Sequence, residues 1–111
     1  YWGNNASAYN DYKIFLDSIS PYAKQLYFNL HGEDLKIGTT LTHHGLINPT
    51  TKLFCKNLNI GRDIITTTYY PLNNDFTMKN PIVVFDDFDS LVSIYNDTNQ
   101  PIYFAECGYS S

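Results

Sequence analysis

The sequence predicts an α/β protein in which parallel strands alternate with helices. Segments rich in β-branched residues, such as Lys36–Leu41 and Asp63–Tyr69, are separated by longer segments whose apolar residues recur three and four positions apart. Because a helix that connects two strands usually forms a right-handed crossover, this order favours parallel neighbours in one sheet. With 111 residues, 43% of them hydrophobic, the chain is long enough for one packed domain.

The chain opens with the end of a first strand, Tyr1-Trp2, and continues into a long helix that begins near Ser7. Since proline lacks an amide hydrogen, we expect Pro21 to kink this helix or to split it after Ser20. Apolar residues at helical spacing form its expected buried face: Tyr12, Phe15, Leu16, Ile19, Tyr22, Ala23, Leu26 and Tyr27.

The second half of the chain repeats the alternation. Asn48-Pro49 predicts the start of a short helix, since asparagine is a favoured cap and proline is favoured at the first helical position. The third strand, Asp63–Tyr69, precedes a long loop, Pro71–Pro81, and the last strand runs from Pro101 to Glu106. Apolar residues on one face predict the intervening helix: Val84, Phe85, Phe88, Leu91, Val92 and Tyr95.

The spacing of the strands suggests units of a barrel. The three complete strands start near residues 36, 63 and 102, which are 27 and 39 residues apart, as in a β/α unit of a TIM barrel. The first strand lacks its beginning and the last lacks a following helix, although a parallel sheet is normally buried on both faces. We therefore expect residues 1–111 to form a single partial (half) TIM barrel, incomplete at both ends.

Charge and composition exclude several classes of partner. The net charge is −4 and no basic cluster occurs, so nucleic acid and anionic membrane surfaces are excluded as partners. The longest apolar runs are far shorter than the roughly 20 residues that cross a bilayer. Cys55 and Cys107 lack metal-type spacing, and we expect both to be buried thiols.

Polar and aromatic side chains follow each strand at its carboxyl end. In a β/α barrel these ends meet on one face, which is where active sites lie. We therefore expect seven residues to gather there: Asn4, Asn5, His43, His44, Tyr69, Tyr70 and Glu106.

Four of these strand segments resemble a known family. They are YWGNN, KIGTTLTHHG, DIITTTYYPL and PIYFAECGYSS. Together they are similar to strands four to seven of retaining glycoside hydrolases with (β/α)8 barrels, most of all the arabinogalactan endo-β-1,4-galactanase group. The resemblance implies a carbohydrate substrate or ligand, no cofactor, and a secreted or periplasmic location.

The resemblance assigns a role to several residues. Glu106 matches the catalytic nucleophile, Asn4 an asparagine that binds the sugar beside the reacting carbon, and Tyr69 an aromatic residue that hydrogen-bonds the nucleophile. His43, His44 and Tyr70 would contact the sugar. Asn5 stands where the family has its acid/base glutamate, and an amide cannot donate a proton as a carboxylic acid does. Because the retaining reaction needs two carboxyl groups about 5–5.5 Å apart, we expect this chain to be impaired as a catalyst.

Structural alternatives stand beside these roles. Glu106 would equally serve as the partner of a helix terminus or a buried cation, and the Asn4-Asn5 pair as a turn. The two histidines would point to opposite faces of a strand, which argues against a shared metal ion.

Two further interpretations concern the rest of the chain. Phe76 and Met78 in the long loop are either a platform for a sugar or an anchor for the loop. The acidic residues of the last helix are expected on its wet side: Asp86, Asp87 and Asp89.

Three functions are therefore compatible with the sequence. The chain is part of a glycoside hydrolase, a carbohydrate-binding module that lacks the general acid, or a self-associating half-barrel. In the last case the open sheet edges drive pairing, and a homodimer completes one barrel.

Overall fold

The fold is a parallel three-stranded sheet with helices. The structure is a computed structural model, and it describes residues 5–108. The elements in chain order are α1 (Ala6–His31), β1 (Thr40–Thr42), α2 (His43–Ile47), α3 (Lys52–Leu58), β2 (Ile65–Tyr69), α4 (Pro81–Tyr95) and β3 (Ile102–Cys107). Strands stand in the order β1-β2-β3, and both pairs are parallel. The predicted α/β class is therefore confirmed, while the predicted strand at Tyr1-Trp2 lies outside the described residues.

The described helices pack on one face of the sheet. A single core joins side chains from each of these helices to Ile65 of β2. Its buried members are Tyr9, Leu16, Leu46, Cys55, Leu58, Ile65, Leu91 and Tyr95. Strands that follow one another in space as in sequence, with their helices on one side, form a singly wound sheet. A doubly wound sheet would instead carry helices on both faces.

The opposite face of the sheet is not covered by any helix within residues 5–108, and we call it the uncovered face. It includes Thr40 and Thr66, whose hydroxyl oxygens lie 3.0 Å apart, and Tyr103, which pairs with Thr66. Thr66 and Thr68 alternate along β2 with Ile65, Thr67 and Tyr69, which are all buried. This face is therefore polar and aromatic, whereas the helix-covered face is mainly apolar, with Thr67 as a buried polar residue.

A β-bulge in β3 determines which face Glu106 occupies. Thr67 pairs with Phe104, but Thr68 pairs with Glu106, so Ala105 is an extra residue. Without the bulge, strict alternation would place Glu106 on the same face as Phe104, beneath the helices. The extra residue moves Glu106 to the uncovered face, which is how bulges commonly redirect side chains near functional sites.

Helix α1 is not split at Pro21, which contradicts one of the two outcomes that the sequence predicted for the proline. It runs without interruption from Ala6 to His31 and ends at Gly32, whose φ of 68° is left-handed. The buried guanidinium of Arg62 bonds to both Asp17 and Ser20, one turn before the proline. These tertiary bonds hold the turn that Pro21 weakens.

Several other local predictions are corrected. Helix α3 begins at Lys52, because Asn48 instead forms a turn in which its side chain accepts a hydrogen bond from the amide of Thr50 at 2.8 Å. The two histidines directly follow β1, as predicted, but they lie in the short helix α2 and not in an extended segment. Cys107 is exposed, whereas Cys55 is buried as expected and burial raises its pKa to about 11.

Both long helices expose apolar side chains. On α4, Phe85 and Val92 are exposed although the sequence placed them in the core. On α1, four apolar residues lie along one line three and four positions apart and are 41–62% exposed. This line, which we call the α1 stripe, consists of Phe15, Ile19, Tyr22 and Leu26. None of the described helices is long and apolar enough to cross a membrane.

Candidate functional site

The carboxyl ends of the three strands meet at one edge of the sheet, since all strands are parallel. A cavity of about 380 Å³ lies at this edge. Its lining residues are Thr42, His43, His44, Ile47, Thr68, Tyr69, Tyr70, Lys79 and Asp87. Open α/β sheets bind ligands at the carboxyl ends of their strands, so this edge is the candidate functional site.

Glu106 and Tyr70 form the first pair of the site. Tyr70 follows β2 directly and is 41% exposed, and its hydroxyl donates a hydrogen bond to Oε1 of Glu106. The hydrogen bond to Glu106 raises the pKa of Tyr70, because only the protonated hydroxyl group donates it. The phenolate form would also be repelled by the negative charge of the Glu106 carboxylate. The sequence assigned this contact to Tyr69, but the pleat of the sheet gives it to the next residue.

Tyr69 instead points under the helices and bonds to Asp87. Its hydroxyl donates to Oδ2 of Asp87 at 2.6 Å, and Lys79 reaches the same oxygen at 2.8 Å. Lys79 also lies 5.6 Å from the centre of the Tyr69 ring. Burial opposes the ionisation of Asp87, but the hydrogen bonds from Lys79 and Tyr69 outweigh it and lower the pKa of Asp87. Burial and the bond to Asp87 raise the pKa of Tyr69.

The two histidines have different surroundings. His43 is buried, its Nε2 lies 2.9 Å from the carbonyl oxygen of Asp87, and its ring meets the edge of Tyr69 at 4.9 Å. His44 is exposed and lies 3.2 Å from the side-chain amide of Asn48. The two rings therefore have different surroundings, as predicted, but the reason is that they lie at the start of α2 and not in a strand. His43 supports the site from within, whereas His44 is open to a ligand.

Asn5 is the N-cap of α1. Its side-chain oxygen accepts a hydrogen bond from the amide of Ala8 at 3.2 Å, which gives the asparagine a structural reason of its own. No contact within residues 5–108 joins Asn5 to Glu106. Asn4, the predicted sugar ligand, lies outside the described residues.

Lys79 and Asp87 are site residues that the sequence reasoning missed. Asp87 was expected on the wet side of α4, yet only 18% of its side chain is exposed. A signal was present in the sequence, since Asp87 lies three residues after Val84 and four before Leu91, on the apolar stripe of its own helix. A carboxylate on such a stripe needs a buried partner, which Tyr69 and Lys79 supply.

The described part of the chain contains no group of three or more His, Cys, Asp or Glu side chains that could hold a metal ion. No protein-family model, no curated protein and no solved structure matches this chain. The arrangement itself places a carboxylate that is held by Tyr70 near a cavity lined by both polar and apolar groups.

Proposed function

We propose that the chain is part of a (β/α)8-barrel retaining glycoside hydrolase, similar to the arabinogalactan endo-β-1,4-galactanase group, with Glu106 as the nucleophile. The hydrogen bond from Tyr70 to Glu106, at the carboxyl end of a parallel strand, is the observation that carries this proposal. A nucleophilic carboxylate must be oriented and must face the sugar, and the β3 bulge directs Glu106 to the uncovered face.

The form of the sheet supports a half TIM barrel. Consecutive parallel strands with helices on one side are the arrangement that closes into a barrel, with the opposite face turned inward. Threonines and Tyr103 on the uncovered face would then line the interior. The exposed apolar residues of α1 and α4 would pack against neighbouring β/α units.

The proposed reaction has two steps, the formation of a covalent glycosyl-enzyme and its breakdown, and both normally use the acid/base residue that Asn5 replaces. An oxygen of Glu106 attacks the anomeric carbon while the bond from that carbon to the leaving oxygen breaks. In this same step the leaving oxygen needs a proton, which the amide of Asn5 cannot donate. In the second step water attacks the anomeric carbon and the bond to Glu106 breaks, but position 5 holds no carboxylate to take the proton of that water. Substrates whose leaving group is stable as an anion therefore react, whereas natural glycosidic bonds do not.

Other residues of the site would bind or position the sugar. We assign His44 and Tyr70 to direct contact, since both are exposed beside the cavity. His43 and Tyr69 are buried, so we assign them to positioning. In this scheme Tyr70 also keeps the carboxylate of Glu106 in the orientation for attack.

Azide rescue tests the nucleophile. An aryl β-galactoside with a good leaving group is incubated with the chain, with and without azide, an anionic nucleophile that attacks the glycosyl-enzyme without the help of a general base. We expect azide to accelerate turnover and to yield a β-glycosyl azide with retained configuration.

Glu106→Gln should abolish this reaction, while Glu33→Gln, an exposed control distant in sequence, should not change it. An unaffected Glu106→Gln variant, or a product of inverted configuration, would refute the assignment.

A non-catalytic carbohydrate-binding module is the second candidate. The capping role of Asn5 favours it, because that position then needs no acid/base function. Binding of galactan oligosaccharides without azide-dependent turnover of the aryl glycoside would establish this candidate and exclude the first.

Self-association is the third candidate, and the α1 stripe favours it. Exposed apolar residues in one line on a helix are typical of a surface that packs against another helix. In this proposal two copies form a homodimer that completes one barrel.

A further inference from the structure

The segment between β2 and α4 folds into a hairpin of its own. Leu72 and Met78 form an antiparallel bridge, and the amide of Asn73 donates to the carbonyl of Thr77 at 2.8 Å. The amide of Phe76 donates to the carbonyl of Asn73 at 2.9 Å. These bonds match a type I turn followed by one left-handed residue, which is a common way to close a short hairpin.

Phe76 occupies the left-handed position of this hairpin. Its φ is 66°, and hairpins of this kind normally place glycine there because a Cβ is disfavoured. A large aromatic residue in this conformation is a genuine outlier. Residues held in such sparsely populated conformations cluster at active sites and ligand clamps.

Phe76 does not anchor the loop. Phe76 is 76% exposed, and the hydrogen bonds that hold the hairpin do not involve its ring. Side-chain bonds from Asn73 to Thr77 at 3.0 Å and from Thr77 to Asp75 at 2.6 Å complete the turn. The hairpin therefore presents the ring to solvent on a rigid support.

The base of the hairpin is fixed next to the candidate site. The amide of Leu72 donates to the carbonyl of Tyr70, and the amide of Lys79 donates to the carbonyl of Pro71, both at 2.8 Å. The ammonium of Lys79 is held by Asp87. Phe76 lies six positions after Tyr70, so its Cα is within about 20 Å of the Cα of the tyrosine that holds Glu106.

We propose that Phe76 is a platform on which a sugar ring of an oligosaccharide stacks, at a subsite remote from the reacting carbon. This inference rests on the proposed carbohydrate function, and it adds that the ligand is an oligosaccharide or polysaccharide. Aromatic rings contribute large contact area at little entropic cost because they are stiff. Remote contacts of this kind can supply binding energy to the reacting centre.

Chain-length dependence of binding tests the proposal. Calorimetry compares disaccharides and pentasaccharides of β-1,4-linked galactose, glucose and xylose for the natural chain and for Phe76→Asn, Phe76→Trp and Phe28→Ala. Asparagine removes the ring but accepts the left-handed conformation, so the hairpin is retained. Phe28 is an exposed phenylalanine on α1 and serves as the matched control.

We expect Phe76→Asn to weaken binding of the pentasaccharide about tenfold and to leave the disaccharide unchanged. Phe76→Trp and Phe28→Ala should bind like the natural chain. Equal affinity of the natural chain and Phe76→Asn for the pentasaccharide would overturn the platform while leaving the carbohydrate function intact. Failure of the natural chain to bind any of these sugars would overturn both.

Discussion

Removing one hydroxyl group tests the network beneath the candidate site. Tyr69→Phe deletes the donor to Asp87 but keeps the ring, whose centre lies 4.9 Å from that of His43 and 5.2 Å from that of Phe88. The ring contacts therefore survive, and the change in the free energy of unfolding reports the hydrogen bond. This separation of ring from hydroxyl makes the substitution more informative than an alanine.

The expected cost follows from the partners of Asp87. A hydrogen bond to a charged group contributes about 1.5–3 kcal/mol. Because Lys79 still donates to the same oxygen at 2.8 Å, Asp87 is not left unpaired and the lower end of that range applies. We expect a loss of about 1.5 kcal/mol, which lowers Tm by about 6 °C in a domain of this size.

The effect also depends on pH in a defined direction. Burial opposes the ionisation of Asp87, yet the bonds from Lys79 and Tyr69 leave its pKa lowered in the folded protein. A lowered carboxyl pKa contributes stability that is present above the unfolded value, near 3.9, and is lost as pH falls through the folded pKa. The difference in the free energy of unfolding between the natural chain and Tyr69→Phe should thus have its full value at pH 6 and should become smaller below about pH 4.

Urea unfolding followed by circular dichroism measures the free energy of unfolding of each chain, and repeating it from pH 6 to below pH 4 measures the pH dependence. Tyr70→Phe is the control. Because the Tyr70 hydroxyl is exposed, losing its hydrogen bond to Glu106 should leave the midpoint of urea unfolding unchanged. A Tyr69→Phe variant as stable as the natural chain at pH 6, or a difference that grows on acidification, would refute the network.

Three further predictions concern backbone strain, close packing and self-association. Phe76→Asn should raise the free energy of unfolding by about 1 kcal/mol in thermal unfolding, because asparagine tolerates its φ of 66°; a decrease would contradict the strain. Gly38→Ala should cost about 2 kcal/mol in urea unfolding, since an added Cβ would lie 2.9 Å from the carbonyl oxygen of the residue before β2, and Gly108→Ala, with open space around it, should be neutral. In analytical ultracentrifugation the natural chain should sediment as a dimer or larger. Ile19→Lys should shift it toward the monomer, and Asn10→Lys should not. A monomeric natural chain would exclude the α1 stripe as an interface.

The sequence by itself determined the alternation of strands and helices, because apolar spacing is a local property of the chain. It also placed Tyr70 and Glu106 at the carboxyl ends of their strands, and it implied that parallel pairing would bring such ends together. These features need only the period of each segment and the direction of each crossover.

Tertiary structure decided which side chains meet. Whether Tyr69 or Tyr70 reaches Glu106 depends on the pleat of β2 and on the extra residue Ala105, and a shift of one residue exchanges the two faces of a strand. The helix continues past Pro21, and Arg62, distant in sequence, bonds to the turn that precedes the proline. Register and long-range polar bonds join segments far apart in the chain, so no local pattern contains them.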